Sequence, residues 1–220
     1  MIIEFYGLPG SGKTTIAMLV RDILAKDGVE THFVSPNEEI YNKSIFSKFK
    51  EIYKLRKIFM ILPIKDIFVS NSFKDLKVLI SSLVYTSMYY SLSSIGKTNK
   101  DLITIIDEGF LQRIFSLFSF HKIQNTILIK EYINAIPESQ IKIYLKVSSE
   151  TALKRMKQRG SFPIRMQNMD LAEIMSILKI GEKTFDKLQL PNTIEIREDF
   201  GDKYVVANYI CNKIKTYLRK

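Results

Sequence analysis

The run Gly7-Leu8-Pro9-Gly10-Ser11-Gly12-Lys13-Thr14 satisfies every fixed position of the pattern G-x-x-x-x-G-K-[ST]. The chemistry such a run supports is phosphate binding. Its glycines let backbone N–H groups approach phosphate oxygens, and a helix starting behind the loop adds its positive dipole end. Lys13 then reaches the β and γ phosphates, and the Thr14 hydroxyl is placed to ligate Mg²⁺. The competing reading is a glycine-rich turn from strand to helix with no ligand.

A second pair of chemical groups, Asp107-Glu108, closes the apolar run at 102–106. A buried parallel strand delivers a carboxylate from its C-terminal end to the ligand-binding edge of a sheet, so Asp107 is the natural second Mg²⁺ contact, direct or through water. It would otherwise cap a helix beginning at Phe110. Glu108 stays open between three roles: polarising a water, deprotonating a substrate hydroxyl, or facing solvent beside the working aspartate.

The elements that must position these groups are legible as alternating strands and helices. Residues 2–6 read as a strand ahead of the glycine loop, and 15–26 carry helical periodicity through Ile16, Leu19, Val20, Ile23 and Leu24. Further strands are expected at 31–34, 102–106, 141–147 and 193–196. Helices are expected from Ser148 or Ser149 to a stop at Gly160, at about 170–188 and at about 202–218. A helical block at about 40–95, broken near Pro63, is the least transparent part. Strands alternating with helices imply a parallel sheet covered on both faces.

Composition narrows the partners. With 220 residues, 46% hydrophobic and 25% charged, the chain is too apolar for a disordered tail and fits one domain. Its 33 basic against 23 acidic residues give a formal charge of +10, which suits an anionic ligand. A nucleic-acid partner has only that charge behind it, without a stacking or zinc motif, and is not expected. The lone Cys211 forms no internal disulfide, and with two histidines it makes no dedicated zinc site, so the cytoplasm is the expected compartment. No signal-peptide pattern opens the chain, because Gly7, Pro9, Gly10 and Gly12 interrupt it. From Val78 to Gly96 there is no charged residue, but Ser81, Ser82, Thr86, Ser87, Ser91, Ser93 and Ser94 break the apolar surface. That favours a helix buried in a soluble core over a membrane span.

The segment Ser148-Ser149-Glu150-Thr151-Ala152-Leu153-Lys154-Arg155-Met156-Lys157-Gln158-Arg159-Gly160 follows a strand. With the phosphate loop and the element order, it resembles the thymidylate kinase-like branch of the nucleoside and nucleoside-monophosphate kinases. There a fourth strand runs into a short Glu-x-Ala-Leu-x-Arg helix and then an arginine-bearing lid. The resemblance implies a three-layer α/β/α fold of the P-loop type, with a five-stranded parallel sheet in the order 2-3-1-4-5. It also implies a helical acceptor region at about 40–96 and a lid at about 149–167. ATP and Mg²⁺ are the implied cofactors, a small-molecule acceptor the implied partner, and a homodimer the commonest assembly. Gly7, Pro9, Gly10, Ser11, Gly12, Lys13, Thr14 and Thr15 would cradle the donor phosphates. Arg155 would sit near the donor phosphates or base, and Arg159 and Arg165 would clamp the γ-phosphoryl group, since the loop carries no arginine of its own. An ordinary charged helix face would give similar letters.

Two departures bear on the acceptor. After the third strand, family members carry Asp-Arg or Glu-Arg-Ser, whereas this chain has Asp107-Glu108-Gly109-Phe110-Leu111-Gln112-Arg113; Arg113, one turn on, is the substitute acceptor contact. After the second strand the chain reads Ser35-Pro36-Asn37-Glu38-Glu39, where Glu38 could take a hydroxyl proton or simply start a helix. Both weaken thymidylate as substrate more than they weaken a kinase. The leading expectation is therefore an ATP-dependent kinase of a nucleotide, nucleoside or similar small acceptor. Alternatives are a P-loop ATPase or switch acting through a protein partner, and a kinase of a sugar or other metabolite. A GTPase is disfavoured, as Asn99-Lys100-Asp101 lacks the spacing of Asn-Lys-x-Asp.

Overall fold

A computed structural model describes residues 1–34, 53, 56–61, 83–84, 87 and 102–218. Glu38 and nearly all of the block at 40–96 lie outside the described residues. In chain order the elements are β1 (Ile2–Gly7), α1 (Lys13–Lys26), β2 (Thr31–Val34), α2 (Arg56–Ile61) and β3 (Ile103–Ile106). They continue with α3 (Phe110–Ile114), which runs into a π-helical turn at Phe115–Ser119, then α4 (Thr126–Ala135), β4 (Ile141–Lys146) and α5 (Ser149–Arg159). A 3₁₀ turn at Ile164–Met166, α6 (Leu171–Asp186), β5 (Thr193–Arg197) and α7 (Lys203–Leu218) complete the order.

All five strands are parallel and lie in the order β2-β3-β1-β4-β5. This is the sheet order implied by the resemblance. The central strands β1 and β3 are buried along their whole length, which is why they read as largely apolar runs, interrupted by Glu4 and Thr104, rather than alternating ones. The pleat still sorts their side chains. Ile3 and Phe5 face α1 and α7 with Val20, Ile210 and Ile214, while Ile2 and Tyr6 face Phe110, Phe118, Ile174 and Phe185. Helices therefore cover both faces, and the two clusters form the three-layer core.

Local chemistry sets the helix ends. The Ser148 hydroxyl accepts from Thr151 N at 3.2 Å at the start of α5, and Gly160 ends it in the left-handed region at φ +67°. Asp170 caps α6 through Glu173 N at 2.7 Å. The sequence signals missed α4, which Asn125 caps by accepting from Ile127 N and Leu128 N. They also gave α3 no periodicity, because all five of its residues are buried and no polar face marks it.

Among the described residues no helix is long and apolar enough to cross a membrane. Of the uncharged stretch at 78–96, Leu83, Val84 and Ser87 are described; they are helical and buried. Because β1 and β3 are hydrogen-bonded neighbours, the loop leaving β1 and the acidic pair leaving β3 open onto one edge of the sheet.

Candidate functional site

The glycine loop packs against α5. Gly10 sits at φ +84°, and a Cβ there would meet Ala152 O at 2.6 Å, so a side chain is excluded both by conformation and by the helix behind it. The first bond of α1 runs from Ile16 N to Gly12 O at 3.0 Å, leaving the N–H groups of Lys13, Thr14 and Thr15 as the helix's unused donors. An anion at this helix start would meet both those donors and the positive end of the dipole.

Lys13 is buried, with Nζ folded onto the loop itself: it donates to Leu8 O at 2.9 Å, Gly7 O at 3.1 Å and Ser11 Oγ at 3.4 Å. Burial pulls its pKa down to about 8, against the opposing pull of Glu108 and Asp107. The charges of Arg113 and Arg159 also act on Lys13, so these groups share one electrostatic neighbourhood.

Thr14 Oγ1 donates to Asp107 Oδ2 at 2.9 Å. Asp107 is buried, and its Oδ1 has no hydrogen-bond partner among the described residues. Burial raises its carboxyl to about 6, more than the Thr14 hydrogen bond lowers it. A hydroxyl and a buried carboxylate short of donors make a fitting oxygen pair for a hard divalent cation, and Mg²⁺ commonly takes only one or two protein oxygens beside phosphates and water. Among the described residues no group of three His, Cys, Asp or Glu gathers into a metal cage.

Arg113 is also buried. Its Nη2 donates to Glu108 O at 3.2 Å and lies 3.5 Å from Glu108 Oε2, while Nε has no hydrogen-bond partner among the described residues. Among the described residues there is thus an acceptor on Asp107 and a donor on Arg113 without a hydrogen-bond partner, on the side of the sheet where the glycine loop lies. An unsatisfied buried polar atom costs about 1–3 kcal/mol, a debt a ligand would cancel.

Two further residues escaped the sequence reading. Gln112 Oε1 accepts from Gly7 N at 3.1 Å, tying α3 to the first residue of the glycine loop. Glu4, fully buried on β1, accepts from Leu111 N at 2.6 Å and lies against Gly109, where a Cβ would collide with its carboxylate. A charged residue inside an apolar strand was the available signal for Glu4; nothing in the sequence marked Gln112.

The three arginines expected in a lid divide. Arg155 Nη1 donates to Ser11 O at 3.3 Å, and Arg155 lines a cavity of about 250 Å³ with Gly12, Thr15, Arg197, Glu198 and Lys203. Arg159 donates to Ser161 O at 3.1 Å in an exposed position. Arg165 is engaged elsewhere: its guanidinium stacks 3.8 Å from the centre of the Phe120 ring, donates to Ser116 O in the π-helical turn at 3.2 Å and lies 3.2 Å from His121 Nε2. Arg197 and Glu198 were not anticipated, although the C-terminal edge of a parallel sheet is where ligand contacts gather.

No family model matches the chain, and no curated protein matches it. Solved structures do. Deoxyadenosine kinase from M. mycoides with the products dCMP and a flexible dCDP bound aligns at a TM-score of 0.55 and 19% identity, covering 98% of this chain and 100% of that one. The same kinase with bound dATP aligns at 0.53 and 19% identity, and with bound dCTP at 0.51 and 21%, at the same coverage. At this identity the likeness establishes the fold: a P-loop kinase-type α/β sheet in the order 2-3-1-4-5.

Proposed function

We propose that the protein is an ATP-dependent small-molecule kinase whose acceptor is a deoxynucleoside or a close relative of one. The observation that carries this is the meeting of Lys13, Thr14, Asp107 and Arg113 at one sheet edge, with unsatisfied buried atoms on Asp107 and Arg113. The deoxyadenosine kinases that share the fold favour the nucleoside acceptor over the thymidylate suggested by the lid-like segment.

In this reading the N–H groups at the start of α1 hold the donor phosphates. Lys13 leaves the carbonyls of Gly7 and Leu8 to meet the β and γ oxygens. Thr14 and Asp107 would hold Mg²⁺, which when bound neutralises charge on the transferring group. Arg113 turns its spare donor towards the acceptor side, and Arg159 adds positive charge where the equatorial oxygens become more negative. The cavity of about 250 Å³ beside Arg155 and Glu198 takes the donor base. Glu108, paired with Arg113, is the described carboxylate placed to receive the acceptor's hydroxyl proton. Little covalent work falls to the protein; positioning and charge stabilisation carry the rate.

The test is to incubate the protein with MgATP and, separately, each deoxynucleoside, each deoxynucleoside monophosphate and a set of sugars. ADP release that depends on a deoxynucleoside is the expected result. Slow release independent of every acceptor would instead identify an ATPase.

A further inference from the structure

Between α4 and the C-terminal end of α6 lies a slot of about 80 Å³ that shares no lining residue with the cavity beside Arg155. Its depth is apolar, with Ile129 of α4 buried on one side and Leu188, just past α6, packed against the core on the other. Lys130, Lys183 and Lys187 are exposed and line its mouth. Their methylene stems extend the apolar wall while the ammonium heads stay in water.

Three cations thus meet at one opening without a counter-charge. Among the described residues no carboxylate lines the slot, and none of the three lysines makes a salt bridge or a hydrogen bond. The carboxylates beside them on α6 are engaged elsewhere: Glu182 accepts from Ser149 N at 2.9 Å, and Asp186 accepts from the Tyr144 hydroxyl at 2.9 Å and lies 2.8 Å from Lys146 Nζ. Glu131, next to Lys130 on α4, is exposed and does not line the slot. The dipole of α6 favours cations at its C-terminal end, which accounts for Lys183 and Lys187 even though they stand four residues apart and repel. It does not account for Lys130, which a different helix brings to the same mouth.

The remaining polar side chains of the lining are neutral. They are the Gln124 amide and the hydroxyls of Thr126 and Thr184, each able to donate as well as accept. Thr184 is only 6% exposed, yet its hydroxyl takes part in no hydrogen bond among the described residues. A buried hydroxyl in that state is a donor at hand for whatever fills the slot.

From this we infer that the slot is a binding site for a small organic anion, one carboxylate head on a short unbranched apolar tail. The tail lies against Ile129 and Leu188, and the head sits among Lys130, Lys183 and Lys187. Pockets for drug-sized ligands begin at roughly 300 Å³, so a slot of about 80 Å³ admits a short chain and excludes a nucleotide.

The experiment uses the full chain without nucleotide, so its result does not depend on the kinase reading. Hexanoate is titrated at constant ionic strength while backbone amide resonances are followed, with 1-hexanol as the uncharged control. Saturable shifts at Lys130 and Thr184 are expected, with hexanol weaker by about tenfold, the combined loss of three exposed ion pairs of ordinary strength. Lys130→Glu, at an exposed position outside the nucleotide site, should weaken hexanoate by about fivefold, from one attraction lost and one repulsion gained. The same substitution should leave hexanol within about twofold and the rest of the spectrum in place. Absence of saturable shifts up to about 10 mM would overturn the proposal, since such affinity is too weak for a built site. So would equal binding of hexanol, hexanoate affinity unchanged by Lys130→Glu, or saturable shifts confined to the glycine loop.

Discussion

The Thr14 hydroxyl donates to Asp107 Oδ2 at 2.9 Å, joining two residues 93 positions apart. The contact exists because β1 and β3 are adjacent, so the helix behind the phosphate loop and the end of β3 arrive at one corner. If that corner holds Mg²⁺, both residues should alter metal dependence rather than nucleotide affinity alone. Asp107→Asn and Thr14→Ala are each expected to raise the Mg²⁺ concentration for half-maximal turnover by roughly 10–100-fold, the usual size of a lost metal contact. A magnesium titration of ADP release measures it; an unchanged midpoint would place the metal elsewhere.

The same carboxylate should set a pH dependence of stability. Asp107 has a folded-state pKa raised from 3.8 to about 6 by burial. Between about pH 4 and pH 6 the folded protein therefore keeps a proton that the unfolded chain has released. Stability contributed by this group is highest below that window and falls as pH rises through it, by at most about 1.4 kcal/mol per pH unit. Asp107→Asn should remove that slope and stabilise the metal-free protein at pH 7 by about 1–3 kcal/mol. Urea unfolding across pH 4–7 checks the sign, and a less stable Asp107→Asn at pH 7 would contradict it.

How much of this was readable beforehand follows from where the signals lie. The places of the glycine loop between β1 and α1 and of Asp107 at the end of β3 were legible because a glycine spacing and an acidic residue after an apolar run are local patterns with a fixed mechanical meaning. Most elements were placed to within a residue or two for the same reason. Gln112 acts through a long-range contact to Gly7 N, on a helix buried on all sides where periodicity carries no information. Glu4 carried a signal that the sequence reading passed over, a charge in an apolar strand, and the acceptance from Leu111 N becomes visible only when α3 crosses β1. Arg165 shows the opposite limit: its letter fits a phosphate clamp, while its surroundings are Phe120, Ser116 and His121.

Lys13→Ala should reduce transfer by at least about 10²–10³-fold, the usual consequence of losing one donor aimed at developing negative charge. Its stability effect should be small. The substitution removes a desolvated ammonium held near pKa 8, and also the donor shared by the carbonyls of Gly7 and Leu8. Single-turnover transfer together with thermal melting separates the two. A fold-level collapse would show that Lys13 chiefly braces the loop.

Gly109→Ala tests the contact between α3 and β1. Gly109 has an ordinary backbone at φ −83°, so the cost comes from space alone: the new Cβ would collide with the Glu4 carboxylate. A destabilisation of about 1–3 kcal/mol is expected. Adding Glu4→Ala should recover part of it, though not all, because Leu111 N then loses its acceptor. A double-mutant cycle in urea reads the coupling, and additive losses would mean that the helix start moves aside freely.

Arg155 and Arg165 should separate under kinetics. Arg155 holds Ser11 O and lines the cavity beside the phosphate loop, so Arg155→Ala is expected to raise KM for ATP while the fold stays intact. Arg165 stacks on Phe120 and donates to the π-helical turn, a geometry whose loss costs about 1–2 kcal/mol of stability. Arg165→Ala should therefore lower the melting temperature of the nucleotide-free protein and leave KM for ATP within about twofold, a change below 0.5 kcal/mol. A fall in kcat with the melting temperature unchanged would mean the reverse. The guanidinium would then leave Phe120 when nucleotide binds, and its contribution would belong to the transferring phosphoryl group.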